Sequence, residues 1–192
     1  MNMNKKLLAM GLLLSMTAGS AMAAANSGTT IGSGTLAVTG TVGASTCSVT
    51  FPQSVTMPTI TTAMYQKTAF QNAMAQQSAG NIQFSGCNGQ SVDLKVMATG
   101  FGGIAGSKTI AYPKIDNTYS QGWLGLTFGV SKDNGSSFTN MKLDNTPLRI
   151  DVTNETFALP VRVEAVKMSS KASTDIGQGN YSASFVVTAT YA

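Results

Sequence analysis

Apolar residues recur at every second position through most of this chain and seldom at the spacing of a helix. Ile82 and Phe84 share a face within 81–85, and Val92, Leu94, Val96 and Ala98 alternate next, ahead of a glycine-rich loop at 100–106. Residues 123–130 form an apolar, β-prone run that leads into Lys132-Asp133-Asn134-Gly135, a hairpin signal. The returning strand is expected over 137–143, with Asp144-Asn145 opening another turn. Residues 148–152, and then Phe157, Leu159, Val161, Val163 and Ala165, predict two further strands. Because successive side chains of a strand point to opposite faces, each run offers one apolar face to a core. Many short strands separated by turns point to an all-β sandwich or barrel.

One segment departs from this rhythm. Residues 61–77 scatter Ala63, Met64, Ala69, Ala73, Met74 and Ala75 among glutamines, which fits either a short helix or a helical turn inside a long loop. Both ends of the chain alternate as well. Tyr181, Ala183, Phe185, Val187, Ala189 and Tyr191 predict one strand with six residues on a single face, a core strand and not a frayed tail. Upstream, Gly32, Gly34, Leu36, Val38, Gly40 and Val42 share one face, while Thr35, Ala37, Thr39 and Thr41 share the other. The uncharged, glycine-rich stretch before this run reads as a free arm; the alternative is that the run is the first strand of its own domain.

The first residues carry a different signal. Lys5 and Lys6 precede an apolar run over 7–16, and Ala21-Met22-Ala23 supplies a small-x-small cleavage site, so residues 1–23 read as a secretory signal peptide. The apolar run is shorter than the roughly 20 residues a spanning helix needs. Without Lys5 and Lys6 the excess of the 12 basic over the 8 acidic residues halves, from +4 to +2. The remaining basic residues stand singly, without runs or interleaved aromatics, which speaks against nucleic acid as a partner.

In an oxidising compartment the chain's two cysteines, Cys47 and Cys87, are most simply a disulfide, since they lack the spacing of a redox pair. Only 10% of residues are charged and 7% aromatic, against 20 glycines, a composition suited to an extracellular β-protein. The absence of histidine removes Ser-His-Asp and Cys-His catalysis and histidine-bound zinc. Asp144, Asp151, Glu155 and Glu164 could in principle pair for glycoside hydrolysis, but they fall on scattered turn and strand-surface positions. Trp123 reads as a core filler. The loop at 99–106 has glycines without the spacing of a phosphate-binding loop. No catalytic residue, metal site or cofactor is assigned, and the chain is not expected to be an enzyme.

Taken in order, several short motifs make the chain resemble subunits of chaperone–usher fimbriae, the type 1 pilin family. They are the Gly34-Thr35-Leu36-Ala37-Val38-Thr39-Gly40-Thr41-Val42 run, Thr46-Cys47-Ser48-Val49, and Val55-Thr56-Met57-Pro58-Thr59-Ile60. Cys87 follows an Ile82-x-Phe84 strand, Tyr191 is penultimate, and Gly179 is fourteenth from the C-terminus, where the family typically has a glycine. Met57 replaces the usual leucine, a volume-conserving change, and residues 61–78 are only loosely similar. The resemblance implies an incomplete immunoglobulin-like β-sandwich missing its last strand, with an N-terminal donor-strand extension over 24–43 and a pilin domain over 44–192.

Function follows from the same resemblance. Gly32, Gly34, Leu36, Val38, Gly40 and Val42 would form the donor strand. Tyr181, Ala183, Phe185, Val187, Ala189 and Tyr191 would line the acceptor groove and contact the chaperone. The implied partners are a periplasmic chaperone, an outer-membrane usher and neighbouring subunits in a head-to-tail polymer, with any host receptor met only through the assembled fimbria. The implied route is export through the periplasm to the cell surface. A minor adaptor, or a tip adhesin that binds a host glycan, is the alternative to a structural subunit.

Overall fold

The computed structural model describes residues 36–40, 46–103, 106–119, 122–170 and 177–192. The chain divides into two units, Met1–Val42 and Gly43–Ala192. In the first unit residues 36–40 belong to no strand, and Leu36 and Val38 are 86% and 84% exposed. Gly32, Gly34 and Val42 lie outside the described residues, as do positions 1–23.

The second unit opens with β1 (Ser48–Thr50), α1 (Thr62–Lys67), β2 (Ala73–Ser85) and β3 (Gln90–Ala98). Four two-residue strands follow: β4 (Phe101–Gly102), β5 (Ile110–Ala111), β6 (Lys114–Ile115) and β7 (Thr118–Tyr119). The rest are β8 (Leu124–Val130), β9 (Thr139–Asn140), β10 (Leu148–Val152), β11 (Thr156–Lys167), β12 (Tyr181–Ser182) and β13 (Phe185–Tyr191). The larger sheet has the order β1-β2-β11-β8-β5-β4, with β9 also on β8. Facing it is the three-stranded sheet β10-β3-β13, and β12-β6-β7 form a small third sheet.

The main core lies between the two larger sheets and is built from the alternating positions. Ile82 and Phe84 of β2, Val92, Leu94 and Val96 of β3, Phe128 of β8, Ile150 of β10 and Leu159 of β11 belong to one buried cluster. Each fully buried aliphatic side chain there contributes about 1.5–3 kcal/mol relative to exposure. Cys47 and Cys87 form the expected disulfide, which ties the start of β1 to the end of β2. The long β2–β11 ladder shifts register twice, between Val161 and Arg162 and between Ala165 and Val166. Gly80, with φ 90°, lies at the first shift, a backbone state that a bulge requires and a side chain resists.

The segment at 61–77 resolves into both structures that its composition left open, and then a third. Thr61 caps a six-residue helix, its hydroxyl accepting the Met64 N–H at 3.1 Å. Residues 73–77, whose alanines suited a helix, are instead the first part of β2, because pairing with β11 down to Ala73 outweighs a weak local preference. Tyr65 of α1 is buried in a second apolar cluster with Trp123, Leu124 and Leu126, its ring edge-on to Trp123 at 5.9 Å. Lys167, at the end of β11, closes the helix from the other side. Its Nζ donates to the carbonyls of Tyr65 at 2.8 Å and Thr68 at 3.0 Å and lies 4.3 Å from the Tyr65 ring centre.

Two expected strands differ from the sequence pattern. The return strand over 137–143 shrinks to β9, although Met141 and Leu143 are still buried in the main core. The single strand expected over 181–191 is two: β12 pairs with β6, and β13 pairs with β3.

Candidate functional site: a groove beside β13

β13 pairs with β3 along its whole length, from Phe185 opposite Ala98 to Tyr191 opposite Val92. On its other side no described strand pairs with it, so that edge presents a row of backbone donors and acceptors without a ladder. Across from this edge runs the segment at 52–60, which leaves β1 and carries Pro52 and Pro58. Proline has no N–H to give to a ladder, which suits a stretch that forms a wall and not a strand.

Between the two walls lies a cavity of about 930 Å³. Residues 52–60, residues 177–185 with Val187, and Trp123, Leu126, Phe128 and Val163 all line it. Phe185 turns inward against Phe128, their ring centres 5.5 Å apart. Val186, on the opposite face of β13, is 62% exposed. No charged side chain is among the lining residues, which mix apolar side chains with serine, threonine, glutamine and asparagine, so the groove suits an uncharged occupant.

Four of the six alternating residues expected on one face line this groove: Tyr181, Ala183, Phe185 and Val187. Ala189 packs against the main core, and Tyr191 is 58% exposed at the far end of β13. Tyr181 reaches the groove from β12. Its hydroxyl donates to the Pro58 carbonyl at 2.9 Å, and burial pushes its phenol above the ordinary value, keeping it a donor. The loop before it is fastened to the β6–β7 turn, where the Asn180 N–H donates to Asp116 Oδ1 at 3.0 Å. Ile115 and the loop at 177–180 also line the cavity. Neither was visible as a site in the sequence, since their strand partners are two residues long. Trp123, expected in the core, both packs against Tyr65 and lines the groove.

The acidic residues considered for hydrolysis do not converge here. Asp144 pairs with Lys108 at 3.0 Å, Asp151 accepts the Ser91 hydroxyl at 2.6 Å, and Glu164 pairs with Arg162 at 2.7 Å. Hydrogen bonds from Thr146 and then Lys108 hold the Asp144 carboxyl well below the usual carboxylate range. Asp133 in the β8–β9 turn accepts from the Ser131 and Ser137 hydroxyls and the Ser137 N–H, which lower its pKa to about 2. Both groups hold turns. Among the described residues no three acidic or cysteine side chains gather as metal ligands would. What the groove can do is pair backbone and bury apolar side chains, the chemistry of strand addition.

No protein-family model matches the chain, and no curated protein matches it in sequence. A solved chaperone–usher pilus structure, concerned with rod uncoiling, aligns over 84% of this chain and 97% of that one with a TM-score of 0.55 at 16% identity. This chain has the fold of a chaperone–usher pilus subunit. The rod subunit of the P pilus is similar over 76% of this chain and 99% of its own, at 16% identity and a TM-score of 0.49. A tip adhesin from Pseudomonas aeruginosa is similar over 76% of this chain and 43% of its own, at 14% identity and a TM-score of 0.49. The pilin-type sandwich expected from the resemblance is thus present, with β13 at one edge of its three-stranded sheet.

Proposed function

We propose that the chain is a structural subunit of a chaperone–usher fimbria that polymerises head to tail, each copy laying the run at 32–42 into the groove of the next. The observation that carries this reading is an uncharged groove lined by Phe185 and Val187 of β13, a strand whose other edge no described strand pairs. The sequence holds a matching occupant: residues 24–43 contain no charge, and Leu36 and Val38 stand exposed. Burying those two side chains contributes about 1.5–3 kcal/mol each. Ladder hydrogen bonds along β13 add roughly 0.5–1.5 kcal/mol apiece before ordering costs. A contact between unlike surfaces that repeats head to tail yields an open filament.

On this reading residues 1–23 direct export, 24–43 are the donor arm and 44–192 the acceptor domain. A bare groove is an aggregation hazard, so a periplasmic chaperone occupies it until an outer-membrane usher hands the subunit to its neighbour at the cell surface. The test is to express the full chain with its chaperone and usher, alongside the double variant Leu36→Asp/Val38→Asp. The variant should fold and accept a wild-type arm yet fail to donate its own, so that mixed expression shortens filaments seen by electron microscopy. Filaments of unchanged length and number would refute the donor role.

A further inference from the structure

Among the described residues a hydrogen bond joins the segment at 52–60 to the segment at 177–185. Tyr181 and Pro58 are 123 residues apart in sequence and both line the cavity, and the phenol donates to the Pro58 carbonyl. The tyrosine is presented on a fixed backbone. Asn180 exchanges two hydrogen bonds with Asp116, its N–H donating to Asp116 Oδ1 and its carbonyl accepting the Asp116 N–H, each at 3.0 Å. Gly179 has φ 139°, and a Cβ at that position would collide with the Asp116 carboxylate, so only glycine lets the loop settle on the β6–β7 turn. The Tyr181 ring rests against the second apolar cluster. Ring, loop and turn therefore aim the hydroxyl across the groove before anything enters it.

A strand seated between residues 52–60 and β13 needs the space between the walls and competes for their backbone acceptors, of which the Pro58 carbonyl is one. Accepting the strand-acceptor reading above, we propose that Tyr181 is a gate on strand entry: its hydrogen bond to Pro58 bars one part of the open groove and breaks when a strand seats. Asp116 is a positioning residue that acts through Asn180. On this proposal the bond is lost when a strand seats, so removing the hydroxyl favours occupancy. One neutral hydrogen bond of ordinary net strength corresponds to a roughly two- to tenfold change in an equilibrium constant.

The experiment uses the full chain, a synthetic peptide of residues 32–42 as the probe, and fluorescence of Trp123, the only tryptophan and part of the groove lining. Tyr181→Phe should bind the peptide roughly two- to tenfold tighter through faster association, and Asp116→Ala should move in the same direction. Peptide binding by Tyr181→Phe equal to wild type would show that the bond does not oppose entry, and weaker binding that the hydroxyl braces an occupied groove; either result would overturn the gate. Should Tyr181→Phe fail to melt cooperatively, Asp116→Ala decides on the same criterion. If wild type itself binds the peptide no better than a scrambled one, the acceptor reading falls and the gate with it.

Discussion

Replacing Cys47 and Cys87 together by alanine should loosen one wall of the groove and weaken the whole unit. The bond joins residues 40 apart, and closing a loop of that size removes unfolded-chain entropy worth about 4 kcal/mol. Cys87 is fully buried in the main core and Cys47 packs against that core, so the lost sulfur atoms add a packing cost of roughly 1 kcal/mol. A domain's entire stability is about 5–15 kcal/mol, and in one of this size each kcal/mol moves the midpoint by about 2–4 °C. The expected fall is therefore about 10–20 °C, read from thermal melts by Trp123 fluorescence and circular dichroism. The effect should also be uneven. Cys47 precedes β1, whose chain continues into the wall at 52–60, so amide exchange there should rise well before exchange in β3. A midpoint within about 3 °C of wild type, with unchanged exchange at 52–60, would refute the reasoning.

Two other perturbations probe the packing and the turns. Gly125→Ala would drive a Cβ into Ile110 Cγ2 and within 2.9 Å of Met168 Cγ; urea melts should show a loss of about 1–3 kcal/mol, and an unchanged midpoint would mean that those two side chains yield freely. Asp133 has a folded pKa lowered from 3.8 to about 2, so its contribution is present above the ordinary value and lost as pH falls through about 2. The Ser137 amide resonance should titrate in that acid window in the wild type and stay flat in Asp133→Asn; a flat wild-type profile would count against the turn described for it.

Alternation alone located most of the sandwich. β3, β10 and β11 fall on the predicted alternating runs because each buries one face against a core, and β8, buried at all seven positions, falls on the continuous apolar run. It missed where pairing overrode local pattern. Residues 73–77 became strand through β11, and 181–191 broke in two because Tyr181 joins the β6 hairpin while Phe185 joins β3. Half of the groove was readable, since Phe185 and Val187 lie on an alternating run. The other half was not. Its wall at 52–60 forms no ladder, and the contacts of Asp116 with Gly179 and Asn180 span more than sixty residues, which no local pattern reports.

Lys167 fastens α1 to β11 using carbonyl oxygens and an aromatic face alone. None of these partners is a carboxylate, whereas Lys108 and Arg162 pair with the carboxylates of Asp144 and Glu164. The joint between helix and sheet is accordingly fastened without an opposing charge, so its hold on the second apolar cluster, Trp123 included, does not depend on the ionisation of any acid.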